Sequence, residues 1–138
     1  MTVLVNGANL EEAMHKSKLG GLIIDCCTDD LPRAAEFWSG ALGMPARDLP
    51  ASDGEYMGLH DAAHGLDIEV QKVQHASRVH LDIETDDIAA EVRRLEALGA
   101  RKVQQIKTWW VMEAPTGQRF CVVSAKSAGF EQQASRWP

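Results

Sequence analysis

The feature that most limits how this chain can fold is a pattern of punctuation that occurs twice. Asp25, Thr28, Asp29, Asp30 and Leu31 reappear as Asp82, Thr85, Asp86, Asp87 and Ile88, at a constant offset of 57 residues. The Leu42-Gly43 pair returns as Leu98-Gly99 at an offset of 56, and Gly65 and Val70 return as Gly117 and Val122 at 52. Insertions and deletions therefore fall between the matched runs, where loops belong. A repeat fixes the architecture before any single residue is interpreted, because each copy must build the same supersecondary unit.

Within each copy the elements follow from local chemistry. Residues 22–27 read as a strand, and Thr28, Asp29 and Asp30 supply capping side chains before Pro32, which suits a first helical turn. Leu31, Ala34, Ala35, Trp38, Ala41 and Leu42 recur at helical spacing, and Gly43 fits a C-terminal cap. Residues 46–49, 55–60 and 66–73 then read as strands, with turns at Asp53-Gly54 and at 61–65. The second copy repeats the order. Residues 78–84 form a strand, Thr85-Asp86-Asp87 caps a helix with Ile88, Val92, Leu95 and Leu98 on its apolar face, and Gly99 ends it. Strands at 101–106, 109–113 and 118–124 follow, the last pair joined by Pro115-Thr116-Gly117.

The expected fold is therefore α+β: two tandem β-α-β-β-β units, 20–74 and 78–125, forming a curved mixed sheet around a concave pocket with the helices outside. Residues 1–19 read as an arm, with a turn at Asn6-Gly7 and a helical turn or two over 10–14. Residues 126–138 read as a tail whose large apolar anchors are Phe130 and Trp137. At least one end is expected to dock.

A chain of 138 residues is long enough to bury a core without staples. Its net charge of −6 argues against nucleic acid or an anionic membrane surface as partner. The three cysteines, Cys26, Cys27 and Cys121, show no zinc spacing and read as reduced thiols. No apolar run approaches the length of a membrane span, and the first twenty residues lack a signal-peptide core. The expectation is a cytoplasmic protein. Gly-rich phosphate loops, nucleophile elbows and His-Glu-x-x-His are all missing, so nucleotide-dependent transfer and serine hydrolysis have no support.

Alternation along the strands sorts the candidate residues. Leu22, Ile24, Cys26, Val79, Leu81, Ile83, Ile68, Val70, Phe120 and Val122 form apolar faces expected to lie under the helices. The opposite faces carry Asp25, Glu69, Gln71, His80 and Asp82, with Cys27, Arg119, Cys121 and Val123. Buried acids and a histidine require partners, and such surroundings tune acid–base groups. His80 reads as a general base or ligand contact, or as a structural histidine tied to a carboxylate. Glu69 reads as its acid–base partner, or as a solvated strand residue. Asp25, Asp82, Gln71, Trp110 and Cys121 complete the expected ligand-binding set. Trp109 and Trp110 should face opposite sides of their strand, one available for stacking. Trp38 reads as core, Met57 and Met112 as gap-filling core or as lining of the same cavity, His60 and His64 as exposed, and Cys26 as inert.

In this order the motifs resemble the vicinal oxygen chelate superfamily, which includes glyoxalase I, bleomycin-resistance proteins and extradiol dioxygenases. The match is strongest to its glyoxalase-like-domain branch. The residues behind it are Ile24-Asp25-Cys26 before Asp30-Leu31-Pro32, Phe37-Trp38 with Ala41-Leu42-Gly43, and Arg78 through Ile83 before Asp86-Asp87. Leu95 through Ala100, and Ala114-Pro115-Thr116-Gly117 before Phe120, Cys121, Val122 and Val123, complete it. The resemblance implies four metal-ligand positions, from the first and last strand of each half, which fall on Ile23, Glu69, His80 and Cys121. Ile23 has no donor atom, and a cysteine suits hard, oxygen-preferring metals poorly. A member without the complete metal site is thus implied, with no cofactor; a divalent metal, if bound, would rest on His80 and Glu69.

Three functions are left open. The first is binding of a small molecule, as in bleomycin-resistance-like proteins. The second is a divalent-metal-dependent lyase or isomerase of glyoxalase type. The third is a regulatory or interaction module working through the terminal arms. The resemblance also implies a homodimer.

Overall fold

The computed structural model describes Leu4–Val5, Ala8–Asn9 and residues 14–49, 54–60 and 65–138. In chain order the elements are β1 (Leu4–Val5), β2 (Ala8–Asn9), β3 (His15–Cys27), α1 (Leu31–Leu42), β4 (Ala46–Asp48), β5 (Tyr56–Leu59) and β6 (Asp67–Val73). These are followed by β7 (Arg78–Thr85), α2 (Ile88–Ala97), β8 (Arg101–Ile106), β9 (Trp109–Glu113), β10 (Arg119–Ser124), α3 (Phe130–Gln133) and β11 (Ser135–Trp137). The fold is mixed α+β, as expected. Two compact units divide it, Gly20–Asp82 and Met1–Leu19 with Ile83–Pro138, so that the boundaries fall inside β3 and β7.

In the Gly20–Asp82 unit the strands run β4-β5-β6-β3-β7. β3 is parallel to β6, in register from Gly21 opposite Asp67 to Cys27 opposite Val73, and β4, β5 and β6 pair antiparallel. A parallel pair needs a crossover, and α1 supplies it. Its start is chemical: Asp30 accepts a hydrogen bond from the Arg33 backbone N–H at 3.1 Å, and Pro32 occupies the first turn. Its stop is conformational: Gly43 has φ 69°, the left-handed region where a side chain would be strained. Ile24, Leu31, Ala35, Leu59, Ile68 and Val70 form the buried core, with Leu22, Cys26, Trp38 and Met57 against it.

The second unit repeats the plan. The end of β7 lies beside β10 in the order β7-β10-β9-β8; β10, β9 and β8 pair antiparallel, with a bulge between Lys102 and Gln104. Asp87 accepts from the Ala90 N–H at 3.0 Å to start α2, and Gly99, with φ 108°, follows its end. Val92, Leu95, Met112, Phe120 and Val122 form this core, with Ile83, Ile88, Ala100, Trp110 and Ala114 packed on it. Among the described residues no helix is long and apolar enough to cross a membrane.

Four expectations need correction. The first long strand begins at His15, not at residue 22, so His15–Leu19 is strand rather than arm. Its inward side chains, His15 and Ser17, are polar, and their partners lie far away in sequence: Glu91 binds His15 and Trp137 binds Ser17. The tail is likewise built in, as α3 and as β11 paired antiparallel with the start of β3. Val79 and Leu81, expected under a helix, are 60% and 44% exposed; of the apolar β7 residues only Ile83 joins the α2 core. Leu98, expected on the buried face of α2, caps the helix and is exposed. The turn at Asn6-Gly7, the helical turn over 10–13, Asp53, and His64 with the 61–64 turn lie outside the described residues.

Candidate functional site

The expected polar residues of strands β3, β6 and β7 all fall in the Gly20–Asp82 unit. Alternation along β3 sends Ile24 and Cys26 toward α1, and Ile23 and Asp25 the opposite way. Across β6, Ile23 pairs with Glu69 and Asp25 with Gln71; on β5, Gly58 and Tyr56 continue the two rows. Residues directly opposite on paired strands share a face. On β7 the same alternation groups Arg78, His80 and Asp82.

Asp25 organises this face. Its side chain is 2% exposed, and its Oδ2 lies 2.8 Å from Nδ1 of His80. Arg78 Nε and His75 Nε2 approach the same oxygen at 3.6 and 3.9 Å, and Arg78 Nη2 is 3.4 Å from His75 Nε2. The other ring nitrogen of His80, Nε2, is 3.4 Å from Asp82 Oδ1. The imidazole thus stands between two carboxylates. An ionised carboxylate can only accept, so Nδ1 carries the hydrogen.

The carboxylates themselves are incompletely satisfied. Asp25 Oδ1 and Asp82 Oδ1 are both buried, and among the described residues neither accepts a hydrogen bond. The 3.4 Å approach of His80 Nε2 to Asp82 is within ion-pair range but is not a formed hydrogen bond. A buried acceptor without a donor costs about 1–3 kcal/mol, and more when charged. Such groups need an explanation, and a ligand is one.

The remaining site candidates lie on β6, β9 and β10. Glu69 is buried on this face, and Gln71 is half-buried beside Asp25. Trp110 is not on such a face: it pairs with Val122, packs on the α2 core with Met112, and carries Lys102 Nζ 5.0 Å above its ring. Its parity follows from Met112 and Val122, which are fully buried, so Trp109 points the other way. Cys121 lies on β10 in the second unit, opposite Val111 and turned from Phe120 and Val122. Cys26 packs at the α1 core, where burial pushes its thiol up, a hydrogen bond with Trp38 opposes this, and the Asp25 charge adds to it. His60 is exposed, as expected. Arg78 and His75 were not among the expected site residues. Arg78 could have been found by parity, two positions before His80; His75 sits in a turn, where alternation gives no signal.

The donor set does not fit the metal centre implied by the resemblance. Ile23, one of the four positions, is aliphatic and 1% exposed. Of the other three positions, Glu69 and His80 are ordinary nitrogen or oxygen ligands, and Cys121 is a soft sulfur donor that suits oxygen-preferring metals poorly.

Comparison with known proteins supports the same lineage. The sequence profile of the glyoxalase-like domain matches residues 21–123. No match was found among curated proteins. Several solved structures share the fold at low identity. A hypothetical protein from Bacillus halodurans is 12% identical, with a TM-score of 0.55 over 81% of this chain and 97% of its own. The methylmalonyl-CoA epimerase of Mycobacterium tuberculosis is 18% identical, with a TM-score of 0.51 over 78% and 88%. The 2,2',3-trihydroxybiphenyl 1,2-dioxygenase of Sphingomonas wittichii is 17% identical, with a TM-score of 0.53 over 81% of this chain and 42% of the dioxygenase. With its doubled β-α-β-β-β plan and the profile spanning both copies, the chain belongs to the glyoxalase-like domain family.

Proposed function

We propose that this protein binds a small molecule at the His80 face without the metal centre of its superfamily. One observation carries the reading: a buried aspartate, Asp25, holds the His80 imidazole at 2.8 Å while its second oxygen has no donor. A purely structural pair would leave no acceptor unanswered in the interior. Asp25 fixes the ring on one side and Asp82 flanks Nε2 on the other. In this reading His80 contacts the ligand or takes a proton as a general base, with Glu69 on the same face as the acid–base partner in a catalytic version of this site.

The test is a thermal-shift survey of metabolites and antibiotics on the full chain, repeated on His80→Ala. A ligand stabilises the native state in proportion to its occupancy. At least one compound should raise Tm in the wild type and lose that effect in the variant. Shifts that persist in His80→Ala would place binding elsewhere. Stoichiometric metal in protein purified without chelator, lost on His80→Ala, would replace this reading with the metal-dependent lyase or isomerase.

A further inference from the structure

We infer that the His80 face takes a small organic cation with N–H donors, an ammonium or guanidinium group, selected by Asp25 and Asp82. The inference rests on the proposed reading of this face as a ligand site and names the ligand's chemistry.

The first argument is charge. Asp25 and Asp82 flank the imidazole, with side chains 2% and 15% exposed. Arg78 is 45% exposed and sits at 3.6 Å from Asp25, longer than a hydrogen bond. An anion entering here would meet two carboxylates in a poorly solvated place, where repulsion is strong. A cation completes the balance.

The second argument is hydrogen-bond geometry, and it is independent of the first. The three basic groups near Asp25 all approach Oδ2, and none serves Oδ1. Asp82 Oδ1 also lacks a donor. The site is therefore short of donors rather than acceptors, and the acceptors flank the imidazole on both sides. Ammonium and guanidinium groups are donors only, and hydrogen bonds between them and carboxylates are among the stronger ones. Arg78 and His75 are both more than two-fifths exposed, so a ligand cation can take over the place of Arg78 at Asp25 while Arg78 returns to water.

The test uses the intact chain, with calorimetry and thermal shift at constant ionic strength. The probes are agmatine, butylammonium, tetramethylammonium, succinate and zinc chloride. Tetramethylammonium carries the charge without any N–H, so it separates attraction from hydrogen bonding. Agmatine or butylammonium should bind saturably, and tetramethylammonium, succinate and zinc should not. Asp82→Asn should weaken that binding about tenfold or more, as expected for loss of one charge-assisted hydrogen bond. Asp25→Asn should do the same where circular dichroism shows a native fold. The less buried Asp82 carries the test if that variant does not fold. Tetramethylammonium binding as well as butylammonium, or tighter binding of zinc, overturns the inference. Succinate binding that depends on His80 overturns it while leaving the ligand site standing. No His80-dependent binding of any probe or surveyed compound removes both.

Discussion

Cys26 and Cys27 are adjacent and live in opposite surroundings. Cys26 packs at the α1 core, and burial holds its thiol above the ordinary value; Cys27 is exposed beyond the end of that core. The thiolate is the reactive form, so a buried thiol with a raised pKa is doubly protected. In timed alkylation of the native chain, Cys27 should label about tenfold or more faster than Cys26. Mass spectrometry of the peptides separates the two, and equal rates in folded protein would contradict the parity assigned to β3. That parity was readable from the sequence, because strand side chains alternate without exception unless a bulge intervenes. The same rule brought Asp25 and His80 to one face. It could not say which of the adjacent Trp109 and Trp110 turns inward. That is decided by pairing with Val122 across β10, a non-local fact. Nor could it show Arg78 and His75 converging on Asp25, which depends on the path of the turn between β6 and β7 and on the reach of long side chains.

Helix caps and stops were legible at the scale of elements because their chemistry is local: Asp30 and Asp87 bond N–H groups three residues on, and Gly43 and Gly99 take left-handed backbone. The start of β3 was not legible, since His15 and Ser17 look like surface residues until their partners are known. Those partners form one network. Glu91 is fully buried, binds Arg94 through both oxygens at 2.7 and 2.8 Å, and meets His15 at 2.8 Å. Arg94 lies 4.0 Å from the ring centre of Trp137, whose Nε1 donates to Ser17 Oγ. Burial alone would raise the Glu91 carboxyl, but the bonds from Arg94, His15 and Ser17 outweigh it and hold it below its ordinary value of 4.5. A carboxyl depressed in the folded state adds stability above its unfolded value and loses it as pH falls through the folded one. Stability should therefore decline from about pH 4.5 downward, and Glu91→Gln should flatten that acid limb while lowering stability at neutral pH. Urea unfolding at a series of pH values measures both. Trp137→Ala should cost about 1–3 kcal/mol through the lost ring contact and hydrogen bond.

For the whole molecule, duplication governs one face of each copy and leaves the other free. At the offset of 52, Ile68 corresponds to Phe120 and Val70 to Val122, and all four are buried under their helices. The residues between them, on the opposite face, have diverged in kind: Asp67, Glu69 and Gln71 in one copy stand where Arg119, Cys121 and Val123 stand in the other. The scaffold was therefore readable as a repeat, while the site was readable only as a set of residues that break the repeat. This division has a measurable consequence. Val70 and Val122 are both fully buried, at equivalent positions, beneath equivalent helices. Truncating either to Ala removes two methyl carbons and leaves a comparable void, so each should cost about 1.5–3 kcal/mol. The two costs should agree within about 1 kcal/mol, less than the spread of about 2 kcal/mol that one large-to-small substitution shows among unrelated core sites. Gln71→Ala and Val123→Ala, equivalent by the same offset but on the opposite faces, should differ from each other. The first removes a half-buried polar group beside Asp25, and the second trims a half-buried apolar one. Chemical unfolding of the four variants decides the matter. Unequal losses at the two buried valines would mean that the copies share an element order without sharing a packing plan.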